Sequence, residues 1–196
     1  MTDELAIARS ELILGGQASG KSRRAEMLAR GWLARSPAHS AVLIATAQPW
    51  DEEMRERIAR HQSDRAVRIP ELRTVEEPLQ LAEALSRHSQ PQTLTVVDCL
   101  TLWLTNLLMP AENTEQKKAF AHDPRAQSAM LLRAIREAAG PVVLVGNEIG
   151  LGVIPLGRET RAFVDALGRL NQDAAQLCER VTFMAAGLPL TLKGRP

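Results

Sequence analysis

The sequence contains few aromatic residues, and neither sign of charge predominates. Among its 196 residues are three Trp, three Phe and no Tyr, so stacked aromatic platforms for single-stranded nucleic acids are not expected. The 24 basic and 23 acidic side chains leave a formal net charge of +1, which gives no strong attraction to a phosphate backbone. We therefore expect no nucleic-acid partner.

Cysteines and long apolar runs are also scarce. The sequence has two cysteines, Cys99 and Cys178, and without a CxxC pair they predict neither a structural disulfide nor a metal site. The most apolar window, residues 94–109, is interrupted by Asp98 and Asn106 and falls short of the roughly 18–20 apolar residues of a membrane span. The N-terminus is too acidic for a signal peptide. We expect no membrane span and a cytoplasmic location.

The order of the apolar runs predicts the fold class. Short apolar runs alternate with longer helical patterns, which is typical of a three-layer α/β protein with a mostly parallel central sheet. Strands are expected at residues 12–14, 42–46, 94–98, 142–146 and 181–186, and helices at residues 22–34, 51–61, 78–87, 102–108, 124–139 and 158–179. Residues 190–193 predict a last, antiparallel strand in a C-terminal edge hairpin. The length fits one domain, residues 1–196, with residues 1–10 as a loose N-terminal extension.

Residues 15–22 form the motif that predicts the chemistry. They read Gly-Gly-Gln-Ala-Ser-Gly-Lys-Ser between an apolar strand and a helix, which is the G-x-x-x-x-G-K-[ST] pattern of a P-loop NTPase. The backbone N–H groups of such a loop and the positive end of the helix dipole bind phosphate oxygens. Lys21 is expected to neutralise the β and γ phosphates, and Ser22 to ligate Mg²⁺. The predicted phosphate-binding residues are Gly15, Gly16, Gln17, Ala18, Ser19, Gly20, Lys21 and Ser22.

Asp98 is the candidate for a second group at the metal. It ends the apolar run at residues 94–98, and a carboxylate at the end of a neighbouring strand can hold Mg²⁺ through water in such sites. The alternative is that Asp98 caps the N-terminus of the helix that follows.

His61 lies in a basic segment of the predicted helix at residues 51–61. Residues 57–65 read Arg-Ile-Ala-Arg-His-Gln-Ser-Asp-Arg. In one interpretation, the helix is a solvated amphipathic helix and His61 is a surface residue favoured by the dipole at the helix end. In the other, its neutral imidazole attacks a phosphorus and forms a covalent phosphoramidate, while Arg57, Arg60 and Arg65 stabilise the phosphoryl charge. The residue types alone leave both interpretations open.

Seven segments of the sequence together resemble one enzyme family. They are residues 15–23, 43–47, 51–54, 57–61, 74–76, 98–107 and 145–155. The sequence is similar in them to the bifunctional adenosylcobinamide kinase / adenosylcobinamide-phosphate guanylyltransferases of cobalamin synthesis. The resemblance runs from about residue 11 to residue 187. The Arg-Ile-Ala-Arg-His segment and the Asn-Glu-Ile-Gly-Leu-Gly run are more restrictive than the first motif, which many kinases share.

The resemblance implies a specific chemistry. His61 is then the residue that takes GMP from GTP, and Lys21 acts in both reactions. Adenosylcobinamide is phosphorylated with ATP or GTP in the presence of Mg²⁺, and the product is converted to adenosylcobinamide-GDP. A homotrimer is expected. Further nucleotide contacts are expected from Ala45, Thr46, Ala47, Gln62, Ser63, Asp64, Arg65, Glu76 and Asp98.

Two other functions compete with this one. The first is a small-molecule P-loop kinase that forms no covalent intermediate. The second is a GTP-driven switch, against which stands the lack of an Asn-Lys-x-Asp element for reading guanine.

Overall fold

The sheet contains every strand of the described chain. The computed structural model describes residues 6–109, 123–153 and 155–195. Its strands are β1 (Ser10–Gly15), β2 (Ser40–Ala45), β3 (Leu72–Glu76), β4 (Thr93–Asp98), β5 (Val142–Val145), β6 (Arg180–Ala185) and β7 (Leu188–Lys193). Its helices are α1 (Lys21–Arg35), α2 (Glu52–Arg68), α3 (Leu81–His88), α4 (Leu100–Leu108), α5 (Pro124–Glu137) and α6 (Arg158–Leu177).

The strand order is β3-β2-β4-β5-β1-β6-β7. Pairs up to β6 are parallel, and β7 joins β6 antiparallel at the edge of the sheet. The predicted mostly parallel sheet with its C-terminal antiparallel edge hairpin is therefore confirmed. No helix within the ranges that the structure describes is long and apolar enough to cross a membrane.

Alternating side chains of the central strands build two cores, one on each face of the sheet. On β1, Leu12 and Leu14 pack into the core that includes helices α3 to α6, whereas Ile13 packs into the core with Ala25 and Leu28 of α1. This alternation is the period of two that a strand imposes on its side chains. The central strands are buried on both faces because both cores are filled, which explains their uninterrupted apolar runs.

Two elements differ from the sequence-based prediction. Strand β3 was not predicted, because its sequence contains no apolar run. Leu72 is the one buried residue among its five, which is typical of an edge strand with charged and polar side chains. Helix α2 was expected to end at His61, but it continues seven residues further, to Arg68. The ends of the remaining predicted elements lie within three residues of the observed ends.

Residues 6–10 are held against the fold, unlike the loose extension expected there. The backbone N–H of Arg9 donates to Glu179 Oε2 at 2.8 Å, and its Nη2 donates to the carbonyl of Ala138 at 3.2 Å. The guanidinium of Arg180 donates to the carbonyl of Ala6. Residues 1–5 of the predicted extension lie outside the described residues.

A buried carboxylate, that of Glu11, links three elements at the amino end of β1. Glu11 Oε1 accepts from Arg24 Nε at 3.0 Å and from Thr182 Oγ1 at 2.8 Å, and Oε2 accepts from Arg180 Nη1 at 3.4 Å. Glu11 is 1% exposed. A charge so deeply buried is tolerated only when it is paired and hydrogen-bonded.

The substitution Glu11→Ala should therefore destabilise the fold by about 3–5 kcal/mol, because it leaves the buried Arg180 without its anion. Urea denaturation followed by circular dichroism measures the loss. The control is Glu137→Ala, which removes the exposed pair with Arg133 and should cost no more than about 1 kcal/mol. Equal losses in the two variants would contradict the importance of the buried network.

Candidate active site

A cavity of about 590 Å³ opens at the carboxyl edge of the sheet. It lies between the loop that follows β1, the ends of β2 to β5, and helix α2. Ligands of open α/β sheets bind at this edge, where loops leave the ends of parallel strands. Fourteen of the predicted site residues line the cavity: Gln17, Ala18, Ser19, Gly20, Lys21, Ser22, Ala45, Ala47, His61, Gln62, Asp64, Arg65, Glu76 and Asp98.

The loop between β1 and α1 has a backbone that its sequence permits. Gly15 has φ +152, and a Cβ there would lie 2.4 Å from the carbonyl oxygen of Met184 on β6, so this position requires glycine. Gly20 is left-handed, with φ 98, and precedes the first turn of α1. Ser19 Oγ is buried and has no hydrogen-bond partner among the described residues. A buried donor left without a partner in a phosphate-binding loop fits an anionic ligand.

Lys21 is buried at the base of this loop. It is 7% exposed, and its Nζ donates to the carbonyl of Gly16 at 2.6 Å. Burial lowers the pKa of Lys21 from its ordinary value, and the charge of Asp98 opposes that shift. An ammonium group with three donors retains hydrogen-bonding capacity for phosphate oxygens beyond the bond to Gly16.

Asp98 does not cap helix α4. The N-cap of α4 is Cys99, whose Sγ accepts from the N–H of Leu102 at 3.4 Å. Burial raises the pKa of Cys99 to about 12, so the capping sulfur is a neutral thiol near pH 7. The carboxylate of Asp98 is thus not used for capping, and it lines the cavity together with the hydroxyl of Ser22.

These two oxygen groups fit the way proteins bind Mg²⁺. In the part of the chain that the structure describes, no group of three or more His, Cys, Asp or Glu side chains is placed to hold a metal ion. Mg²⁺ does not need such a cage, since it keeps several waters and takes one or two protein groups plus substrate phosphates. Ser22 and Asp98 offer a hydroxyl and a carboxylate of the kind that such an arrangement uses.

His61 lies in the middle of α2, is half-buried and lines the cavity. The interpretation that the dipole at a helix end favours His61 is therefore wrong, because the helix continues two turns beyond it. Arg57 and Arg65 lie one turn before and one turn after His61 on the same face, and all three line the cavity. A histidine thus shares with two cationic side chains the cavity that the phosphate-binding loop also lines.

Helix α2 contacts that loop directly through Arg57. With the Gln17 amide oriented to accept, its oxygen lies 2.8 Å from Arg57 Nη1. At the next turn, Gln62 Nε2 donates to Glu76 Oε1 at the end of β3, at 2.9 Å. The helix begins at the N-cap Asp51, whose side chain accepts from the N–H of Met54 at 2.7 Å.

Four predicted site residues do not line the cavity: Gly15, Gly16, Thr46 and Ser63. Gly15 ends β1, and Gly16 contributes its carbonyl to Lys21. Thr46 is fully buried, and its hydroxyl both donates to the carbonyl of Cys99 at 2.7 Å and accepts from the Cys99 N–H at 2.8 Å. Ser63 is exposed on the side of α2 that faces away from the cavity.

The cavity wall also includes residues outside the predicted nucleotide set: Arg23, Glu26, Met54, Arg57, Ile58, Arg60, Arg68, Cys99, Leu102, Val145 and Asn147. Several of these residues recur at intervals of three or four along α2 and therefore share one face of the helix. A sequence-based prediction that extended this helix to residue 68 would have identified that face. Glu26 had one local signal, since it lies four residues after Ser22 and thus on the same side of α1.

Known proteins of similar sequence belong to one enzyme family. Residues 11–192 match the family described as cobinamide kinase / cobinamide phosphate guanyltransferase. The chain is 48% identical over 190 residues to the bifunctional adenosylcobalamin biosynthesis protein CobP of Pseudomonas aeruginosa, covering 95% of this chain and 98% of that protein. It is 35% identical over 190 residues to the bifunctional adenosylcobalamin biosynthesis protein CobU of Escherichia coli, covering 93% and 98% of the two chains.

Two solved structures share the fold. The flagellar accessory protein FlaH of Methanocaldococcus jannaschii is similar with a TM-score of 0.52 at 12% identity, over 96% of this chain and 80% of that one. A second solved structure, an ATPase domain, is similar with a TM-score of 0.50 at 14% identity, over 90% of this chain and 69% of that one. At these identities, the likeness concerns the fold alone.

The fold and the loop at residues 15–22 define a P-loop nucleotide-binding protein. The chain belongs to the cobinamide kinase / cobinamide phosphate guanyltransferase family, as the sequence motifs predicted. It is accordingly a bifunctional cobinamide kinase and cobinamide-phosphate guanylyltransferase.

The position of Thr46 generates a prediction about stability. Thr46→Val should destabilise the protein by about 1–3 kcal/mol, because it leaves the buried N–H of Cys99 without its acceptor. Nucleotide affinity of the folded variant should change little, since Thr46 does not line the cavity. Thermal unfolding and GTP titration measure the two quantities. Unchanged stability with lost GTP affinity would restore Thr46 as a nucleotide contact.

Proposed function

We propose that a single triphosphate site serves both reactions and that His61 is the residue that carries GMP. The observation behind this proposal is that His61 and Lys21, the lysine of the phosphate-binding loop, line the same cavity. The enzyme then phosphorylates adenosylcobinamide with ATP or GTP and converts the product, with GTP, to adenosylcobinamide-GDP.

In the kinase reaction, the γ-phosphoryl group passes to the substrate hydroxyl. The backbone amides of residues 16–21 and the ammonium group of Lys21 hold the phosphate oxygens and stabilise the charge that spreads over them. A bound Mg²⁺ would supply further positive charge to stabilise the phosphate oxygens. Ser22 and Asp98 are the residues that would hold it.

In the transferase reaction, a neutral imidazole nitrogen of His61 attacks the α-phosphorus of GTP. A P–N bond forms while the bond from that phosphorus to the bridging oxygen breaks, and pyrophosphate leaves. A phosphate oxygen of adenosylcobinamide phosphate then attacks the same phosphorus. The P–N bond breaks, the imidazole regains its electron pair, and a diphosphate linkage results.

The charge distribution of α2 supports this role. Arg57 and Arg60 line the cavity within one turn of His61, so their guanidinium groups are available to the phosphate oxygens next to the attacked phosphorus. Gln17 places the Arg57 guanidinium against the phosphate-binding loop. Charge-assisted contacts made there would stabilise the transition state and the pyrophosphate that leaves.

The resemblance also motivates proposals about the protein's surroundings. We infer that it works as a homotrimer in the cytoplasm.

The covalent step is tested with α-labelled GTP. The wild-type protein should acquire an acid-labile, alkali-stable label, and His61→Ala should abolish it because the attacking nitrogen is gone. The control is His88→Ala, since His88 lies outside the cavity, near Arg73, and its loss should leave labelling intact. A wild-type protein that stays unlabelled, or a His61→Ala variant that is still labelled, would refute the guanylylated histidine.

The contributions to the two reactions are distinguished by comparing variants of His61 and Lys21. His61→Ala should retain cobinamide kinase activity, whereas Lys21→Met should lower both activities by roughly 10²–10³-fold, because both depend on the anchored triphosphate. Rates of cobinamide phosphate and cobinamide-GDP formation, followed chromatographically, give the comparison. Normal cobinamide-GDP formation by His61→Ala would contradict the proposal, because GMP would then reach the product without His61.

A further inference from the structure

Helix α2 is attached to the protein almost entirely by polar contacts. Of its 17 residues, all of which are described, Arg65 is the one that is buried. The other helices that cover the sheet bury between three and five side chains each. The position of α2, and with it that of His61, therefore depends on a small number of side-chain contacts rather than on the apolar core.

The central contact of α2 is to a buried carboxylate on α1. Glu26 is 3% exposed and lies five residues after Lys21 on the helix that begins at the phosphate-binding loop. Its Oε1 lies 3.6 Å from Arg65 Nε, and its Oε2 lies 3.0 Å from Arg68 Nη2. One carboxylate therefore contacts two guanidinium groups of α2, and these come from positions three residues apart on one face.

That face of α2 is the one that carries His61. Arg65 and Arg68 follow His61 by one and two turns, which places them about 6 and 10 Å further along the helix axis. Because the two arginines are contacted together, the carboxylate restrains both the rotation of α2 about its axis and its height above α1. Arg65 also donates to Thr74 Oγ1 of β3 at 3.1 Å, which connects the same point to the sheet.

We propose that Glu26 is a positioning residue for guanylyl transfer: through Arg65 and Arg68 it holds the helix that carries His61 in register with the phosphate-binding loop. This inference rests on the proposed role of His61. The loop and the imidazole are thus connected in three steps: α1 leads from the loop to Glu26, Glu26 contacts the two arginines, and α2 carries these arginines and His61.

The chemistry explains why such a restraint matters. An in-line attack requires the nitrogen within roughly 3–3.5 Å of the phosphorus, and a displacement of about 1 Å can cost up to 10²-fold in rate. Stability alone does not require a charge at this position, since buried ion pairs are often no more stabilising than apolar side chains of similar volume. What the ion pairs add here is a defined orientation between two helices that both line the site.

The test uses Glu26→Gln, which keeps the shape of the side chain and removes its charge. The rate of His61 labelling by α-labelled GTP, measured in a single turnover at saturating GTP, should fall about 10- to 100-fold. The cobinamide kinase rate at saturating nucleotide should stay within about threefold of the wild type, since the kinase reaction does not need the imidazole. The matched control is Glu52→Gln, which removes an exposed ion pair with Arg55 on the same helix and should leave the labelling rate unchanged.

Arg68→Gln provides a second, independent variant if Glu26→Gln is too unstable to assay. The Arg68 side chain is 44% exposed, so its loss disturbs the core little. The labelling rate should fall in Arg68→Gln as well, by a smaller factor than in Glu26→Gln. If both residues act through one contact, the double variant should be no slower than Glu26→Gln alone. Hydrogen exchange of α2 amides should accelerate in the slowed variants.

Each outcome decides a different question. Labelling at the wild-type rate in Glu26→Gln, or in Arg68→Gln when that variant carries the test, would overturn the positioning role. A weakened GTP affinity with an unchanged rate at saturation would also overturn it and make Glu26 a nucleotide contact. Absence of label on the wild-type protein would instead refute the proposed function itself.

Discussion

Phosphate binding depends on the backbone position of the loop that follows β1. The strand is held on both sides, by β5 and by β6, and the turn that follows it packs so closely against Met184 that a side chain at Gly15 would not fit. The loop backbone is therefore positioned by the sheet before any phosphate arrives. A cradle of amides that is already in place needs little reorganisation when charge develops on the phosphoryl oxygens, and this gives such sites their effect on rate.

Around this rigid loop, the protein uses two kinds of attachment. Helices α1, α3, α4, α5 and α6 bury apolar side chains in the two cores, so their positions follow from packing. Helix α2 is held by Gln17, Glu26, Thr74 and Glu76 through hydrogen bonds and ion pairs. Polar contacts in a partly solvated cavity are exchanged for others at little net cost, whereas packed cores resist displacement. His61, the residue proposed to carry GMP, is thus on the helix that buries the fewest side chains in the sheet cores.

The sequence predicted the sheet and the phosphate loop because both leave local signatures. Strands buried on both faces read as apolar runs, and the loop has a fixed spacing of Gly, Lys and Ser. The edge strand β3 was not predicted because its sequence, Leu-Arg-Thr-Val-Glu, has one buried side chain and no apolar run. The last two turns of α2 were not predicted because the side chains there are mostly polar. A polar helix face gives no apolar period, although the basic side chains of Arg57, His61 and Arg65 were spaced at one turn.

Contacts between segments far apart in the chain could not be predicted from the sequence, for a different reason. Glu26 and Arg68 are 42 residues apart in the chain, and nothing in either neighbourhood indicates that they meet. Thr46 shows a related ambiguity, because it was predicted as a nucleotide contact from its motif position, while its hydroxyl is hydrogen-bonded within the fold, to Cys99. Polar residues near a site are ambiguous until their hydrogen bonds are known, since the same hydroxyl serves a ligand or the backbone.

One cavity can serve two phosphoryl chemistries because anchoring and attack are separate tasks. In the proposed mechanism, the loop at residues 15–22 binds the phosphates whichever nucleophile attacks, so this binding would contribute to both reactions alike. The choice of reaction would then depend on which nucleophile lies in line: a substrate hydroxyl at the γ-phosphorus, or His61 at the α-phosphorus. Since His61 lies on α2 and Lys21 at the start of α1, the relative position of these two helices would govern one reaction and leave the other nearly unaffected. Charged contacts between the two helices would thus set the geometry for guanylyl transfer without altering the phosphate-binding loop that both reactions use.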